Sequence, residues 1–225
     1  MIRALILNDI RYMRKDPMCI AAFTLPVILG CMYNLLLLKI DFISEYLGVA
    51  KYLFIVVIPM MVGMVFGFRF LDEKDEKVLS VYAVSPLGMR KYIIYRMIQC
   101  IIVALIEIII MYLVGIKTDY NGLTSIIMAT LLAPFIFLIL GILGKNKIQG
   151  VTLLKLIGTV AGLPALQVIS RNKWDVIFTL IPTDFIFKST YVHIEGYIGF
   201  IYIIGMILLM GLMIVHFYKK SIINI

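Results

Sequence analysis

The chain has 225 residues, of which 63% are hydrophobic and only 15% charged, with a mean hydropathy of +1.05. A soluble domain runs about 45–50% apolar and about 25% charged because its surface must be covered by polar groups, so that class is excluded, as are disorder, collagen, coiled coils and disulfide-stapled secreted folds. The net charge of +8 sits in short basic clusters between apolar runs, the pattern of an integral membrane protein rather than of a nucleic-acid-binding face.

Residues 1–16 form a basic amphipathic segment. Ile2, Leu5, Ile6, Ile10, Tyr12 and Met13 share one face of a helical wheel, interrupted by Asp9, while Arg3, Asn8, Arg11, Arg14 and Lys15 fall on the other. Such a helix lies in the membrane interface, and Asp16-Pro17 ends it. Span one, residues 18–38, lies within 22 uncharged residues between Asp16 and Lys39. A signal peptide carries about 7–15 apolar residues, so this span is expected to stay in the mature protein. Ile28-Leu29-Gly30-Cys31 has only a faint likeness to a lipoprotein cleavage box, because the apolar run continues through Leu38. Span two, residues 52–71, holds Gly63 and Gly67, a G-x-x-x-G spacing that suits close helix packing and a candidate dimer face.

Residues 72–87 follow as a charged run, Asp72-Glu73-Lys74-Asp75-Glu76-Lys77, then a half-apolar stretch from Val78 to Val84, then Ser85-Pro86-Leu87. The stretch is too brief to span; it reads as a short helix, with Ser85 placed to cap span three and Pro86 in its first turn. Apolar residues not needed for insertion call for a protein groove; a solvated loop helix is the plainer alternative. Span three, residues 92–116, includes Glu107, span four runs over 121–144, and span five, 148–170, carries Lys155. A further apolar stretch, Val176 to Thr183 with Pro182, lies within residues 174–190 and reads as a short re-entrant segment before span six, residues 196–218.

Lys and Arg fix the expected orientation. With the N-terminus in the cytoplasm, inside segments hold 14 of them and outside segments 6, which places both termini inside. Glu107 and Lys155 are the deepest charges, about 16 and 12 Å into spans that run the same way. They are a candidate intramembrane pair; a substrate or proton role for Glu107 and separate solvated positions stay open. Tyr33, Tyr46, Tyr52, Tyr112, Tyr120, Tyr191 and Tyr197 at span ends read as an aromatic belt. Met60, Met61, Met64 and Met89 suit adaptable packing. Cys19, Cys31 and Cys100 read as buried apolar side chains. His193 and His216 are too few and scattered for a metal site, and no catalytic constellation accompanies Ser125, Ser170 or Ser189. The expected fold is therefore all-α and membrane-integral, with six spans.

In order and spacing these features resemble the permease subunits of type-2 ABC exporters, in their drug- and peptide-export branch. The resemblance rests on Arg14-Lys15-Asp16-Pro17 after an interfacial helix, on the acidic turn and Ser85-Pro86-Leu87 before Lys91-Tyr92, on Lys145-Asn146-Lys147-Ile148-Gln149-Gly150 with Lys155 and Gly158, and on Leu163-Pro164, Trp174 and Ile181-Pro182-Thr183 leading to Lys188. In that family an acid is often seen at the position of Gln149 and an aromatic near Phe185. The resemblance implies an elbow helix at residues 1–16 and a coupling helix at 72–87, with Asp72, Glu73, Asp75, Glu76, Leu79, Tyr82, Ser85 and Pro86 facing a separate cytoplasmic ATPase. It also implies an extracellular re-entrant segment containing Pro164, Trp174, Pro182 and Phe185. Two permease chains, identical or related, would enclose the path for a drug, amphipathic peptide or lipid, and ATP and magnesium would be bound by the partner. The chain has no G-x-x-x-x-G-K-[ST] of its own. A proton- or ion-coupled transporter working through Glu107 is the competing function class.

Overall fold

The computed structural model describes residues 6, 9, 11, 13–39, 47–85, 88–118, 120–170, 175–191 and 196–223. Most of residues 1–16, with Pro86, Leu87, Trp174 and His193, lie outside them. Ten α-helices are described: α1 (Pro17–Lys39), α2 (Leu47–Asp75), α3 (Val78–Val84), α4 (Gly88–Leu113), α5 (Gly122–Leu143), α6 (Lys147–Gly162), α7 (Gln167–Ser170), α8 (Asp175–Phe178), α9 (Asp184–Tyr191) and α10 (Gly196–Ile223). A 3-10 turn, Leu163–Leu166, joins α6 to α7. Six of the helical segments are long and apolar enough to cross a membrane, so the chain is an all-helical, multi-pass membrane protein.

Local chemistry explains where the spans begin. The Asp16 carboxylate accepts the Met18 amide at 2.9 Å, capping α1 ahead of Pro17. Asn146 caps α6 by accepting the Gln149 amide at 2.9 Å, while the Gln149 side chain accepts the Lys145 amide at 2.9 Å. This reciprocal cap gives Gln149 a structural use that a glutamate would serve equally well. Ser85 behaves differently from the expectation. Its hydroxyl donates back to the Tyr82 carbonyl at 2.9 Å, so it closes α3, and span three begins at Gly88. The reason is local: with the next helix starting at Gly88, Ser85 stands too far back to cap it, and its hydroxyl bonds the carbonyl three residues before it.

At 29 residues α2 is about 43 Å long. That exceeds about 30 Å of hydrocarbon, so its last turns, Arg69 to Asp75, project beyond the spanning region. α2 and α5 form the closest pair in the molecule and lie at its centre, with α4, α6 and α9 packed on both. The pairing depends on Gly63 and Gly67. A Cβ on Gly63 would sit 2.5 Å from the Ala133 carbonyl oxygen, and one on Gly67 would sit 2.5 Å from Leu140 Cδ1. Both glycines are therefore consumed within the chain, which corrects the dimer-face reading of this motif.

Candidate functional site

Two polar assemblies stand at opposite ends of the bundle. The first lies at the end where α1 starts, α2 finishes and α4 starts. Arg96, 1% exposed, reaches Asp9 at 3.1 Å and Glu73 at 2.5 Å. Arg69 reaches Asp9 at 2.5 Å and Glu73 at 3.5 Å. Tyr95 and Gln99 donate to Asp9 at 2.7 and 2.8 Å, Arg96 Nε donates to the Tyr92 hydroxyl at 2.7 Å, and Tyr92 donates to Glu73. Two carboxylates thus balance two guanidiniums, which is the condition under which charge can be held away from water. The knot ties the segment before α1 to α2 and α4.

The short helix α3 is fastened to this knot by one of its faces. Tyr82 stacks on Tyr92 with ring centroids 4.3 Å apart, and Leu79 lies in a buried cluster with Phe70, Tyr92, Ile93 and Phe137. Burial, and after it the Glu73 carboxylate, raise the Tyr82 hydroxyl above its ordinary pKa. Asp75, Glu76, Lys77, Ser80 and Val81 face outward, Val81 with 62% of its surface exposed. Asp72 pairs with Lys147 at the start of α6, at 3.0 Å.

These contacts correct the residue assignment for the 72–87 segment. Glu73, Leu79 and Tyr82 are spent inside the chain, and among the described residues of this segment the exposed ones are Asp75, Glu76, Lys77, Ser80 and Val81. Helix phase is the reason: Leu79 and Tyr82 are three residues apart and share a face, and Val81 falls about 100° from Tyr82.

The second assembly holds the segment between α7 and α10. Tyr52, fully buried, donates to the Ala161 carbonyl and lies 3.1 Å from the Thr183 hydroxyl, which itself donates to Ala161 at 2.9 Å. Buried Asp184 accepts from Gln167 and pairs with Lys188 at 2.7 Å. Phe185 is fully buried against Tyr202, ring centroids 5.7 Å apart, and Pro164 is buried in the 3-10 turn. Tyr52 is thus a latch and not part of an aromatic belt, and Tyr33 is likewise buried, whereas Tyr120 and Tyr197 are exposed. Beside the latch an apolar cavity of about 280 Å³ opens between α2, α5, α6 and the turn at Pro182, with Met60, Phe135, Ile157 and Thr183 among its walls.

Glu107 and Lys155 are not brought together. Glu107 is 2% exposed with neither carboxylate oxygen hydrogen-bonded, while Lys155 lies exposed on α6. Equal depth did not make them neighbours, because α4 packs against α1, α2, α3 and α5, and its Glu107 face, shared with Ala104, Ile108 and Met111, is turned inward. Sequence reasoning also missed the knot. Its signals were Asp9 interrupting an apolar face and two i,i+4 pairs, Arg69/Glu73 and Tyr92/Arg96.

Six apolar spans around a charged knot at one end and a polar latch at the other define a polytopic, all-helical membrane protein. The family model for the Rv2686c-like fluoroquinolones export permease proteins matches residues 9–218. The chain belongs to that family. It is similar to the Fluoroquinolones export permease protein Rv2686c of Mycobacterium tuberculosis (strain ATCC 25618 / H37Rv), with 24% identity over 213 residues covering 88% of this chain and 84% of the relative. The corresponding protein MT2760 of strain CDC 1551 / Oshkosh matches to the same extent. No solved structure matches significantly.

Proposed function

We propose that the chain is the permease subunit of an ATP-driven exporter, with two such subunits, identical or related, enclosing a translocation path and a separate ABC ATPase docked on each α3. The observation that carries this reading is the two-faced attachment of α3. One face is locked onto the knot through Tyr82 and Leu79, and the other offers Val81 and a fringe of charge to solvent. A push on the outer face is delivered through Tyr92 and Arg96 to α2, α4 and the segment before α1, so a nucleotide-driven movement of the ATPase alters the spans. Coupling of this kind requires that nucleotide and cargo each bind the two states of the permease unequally. The knot end faces the cytoplasm, in keeping with the excess of Lys and Arg there. ATP and magnesium are held by the partner and not by this chain.

The relatives named as fluoroquinolones export permease proteins support a drug of that class as the cargo. The apolar cavity beside the Tyr52 latch is the wall of the path nearest a polar group. Its test is accumulation of a fluoroquinolone in cells expressing the chain with the ATPase encoded beside its gene. Lower accumulation than in cells lacking either chain supports the reading, and equal accumulation contradicts it.

A second reading is favoured by one observation, the unpartnered carboxyl of Glu107. A proton- or ion-coupled transporter would use this group as its carrier. Export that persists with the ATPase deleted and is lost in Glu107→Gln would select it.

A further inference from the structure

A crevice of about 380 Å³ opens between the segment preceding α1 and the first two turns of α1, lined by Met13, Arg14, Ile20, Phe23 and Thr24. Its wall is apolar in effect, because the Thr24 hydroxyl is taken up by the carbonyls of Ile20 and Ala21 at 3.0 and 3.1 Å. Ile20 and Phe23 lie three and six residues past Pro17, about 5 and 9 Å deeper along the helix. Arg14 stands at the shallow end, with Arg11 and Lys15 exposed on the same segment. Among the described residues none of these three cations pairs with a carboxylate. Asp16 is occupied by the Met18 amide and the Cys19 thiol, and Asp9 by Arg69 and Arg96.

We propose that this crevice binds an anionic phospholipid. The phosphate meets the Arg14 guanidinium, Arg11 and Lys15 add to the local field, and one acyl chain runs down Ile20 and Phe23. A free phosphate would satisfy the cations and leave the apolar wall unused. A zwitterionic lipid would cover the wall and bring its own cation toward three others. The site is independent of any exporter function. Because Asp9 belongs to the same N-terminal segment, a bound lipid also stabilises the knot, since a ligand that binds only the ordered state favours that state.

Native mass spectrometry of the full chain, released from nanodiscs containing equal amounts of phosphatidylglycerol and phosphatidylcholine, tests this. The wild type retains one phosphatidylglycerol, and Arg14→Gln retains it about five- to tenfold less. Phe23→Ala also weakens retention, which a purely ionic site would not show, and millimolar inorganic phosphate leaves the lipid in place. Equal retention of the two lipids, undiminished retention by Arg14→Gln with an unchanged melting profile, or displacement by inorganic phosphate alone would each overturn the proposal. Should Arg14→Gln fail to fold, Phe23→Ala decides: unchanged retention there removes the acyl-chain site.

Discussion

Removing Arg96 unbalances a buried charge set, and the consequence can be worked from the contacts. Arg96 supplies hydrogen bonds or ion pairs to Asp9, Glu73, Tyr92 and Gln99. In Arg96→Met, one guanidinium, that of Arg69, is left facing two carboxylates, a surplus of one negative charge in a site almost closed to water. Breaking one side of a buried pair costs about 3–5 kcal/mol. Asp9 keeps Arg69, Tyr95 and Gln99, and Glu73 is partly exposed, so the lower end is expected, about 3 kcal/mol, or about 150-fold in the unfolding equilibrium. The assay is unfolding in mixed micelles, followed by the fluorescence of the single tryptophan. Charge balance makes a sharper statement: Arg96→Met/Glu73→Gln carries one carboxylate and one guanidinium, so the double variant recovers at least about 1 kcal/mol relative to the sum of the singles. A loss under about 1 kcal/mol for Arg96→Met, or strict additivity in the double, would refute the knot.

Gly63→Ala drives a methyl into the Ala133 carbonyl, and overpacking of this kind costs about 1–3 kcal/mol. Gly67→Ala meets only the Leu140 side chain, whose Cδ1 can turn away though its Cβ stays at 3.0 Å, and costs less than a clash with backbone, an order that size-exclusion monodispersity and melting will show. Tyr52→Phe deletes the latch to Ala161 and Thr183, leaves that carbonyl without the tyrosine's donor, and lowers stability by about 1 kcal/mol in a thermal melt. Glu107→Gln and Lys155→Met are expected to act independently, their effects adding within about 0.5 kcal/mol. A strong coupling between them would restore the intramembrane pair that the structure does not contain.

The spans were legible in the sequence because charge is so costly in hydrocarbon that Asp16, Lys39, Lys145 and Lys219 nearly delimit them. The last turn of α2 was not, since Asp72 to Asp75 reads as a charged segment beyond the span until Arg69 and Glu73 are seen to share a helical face toward Arg96. Depth was legible and rotation was not. Glu107 and Lys155 lie at similar depth, yet neighbouring spans decide which way each points. The same limit applies to α3, where residue types announced a short helix but its phase depended on Tyr92, a residue of the next span. Asp9 lost its meaning in the sequence because its partners, Arg69 and Arg96, are 60 and 87 positions away.

The direct test of the proposed docking on α3 is co-purification of an ABC ATPase, co-expressed as the proposed partner, with the wild-type chain, Val81→Asp and Glu76→Lys, each first shown to fold. The account predicts that the ATPase accompanies the wild type and is reduced or lost with the variants of the outward face. An ATPase that binds Val81→Asp and Glu76→Lys as well as the wild type, or a wild-type chain that always purifies alone, would contradict it.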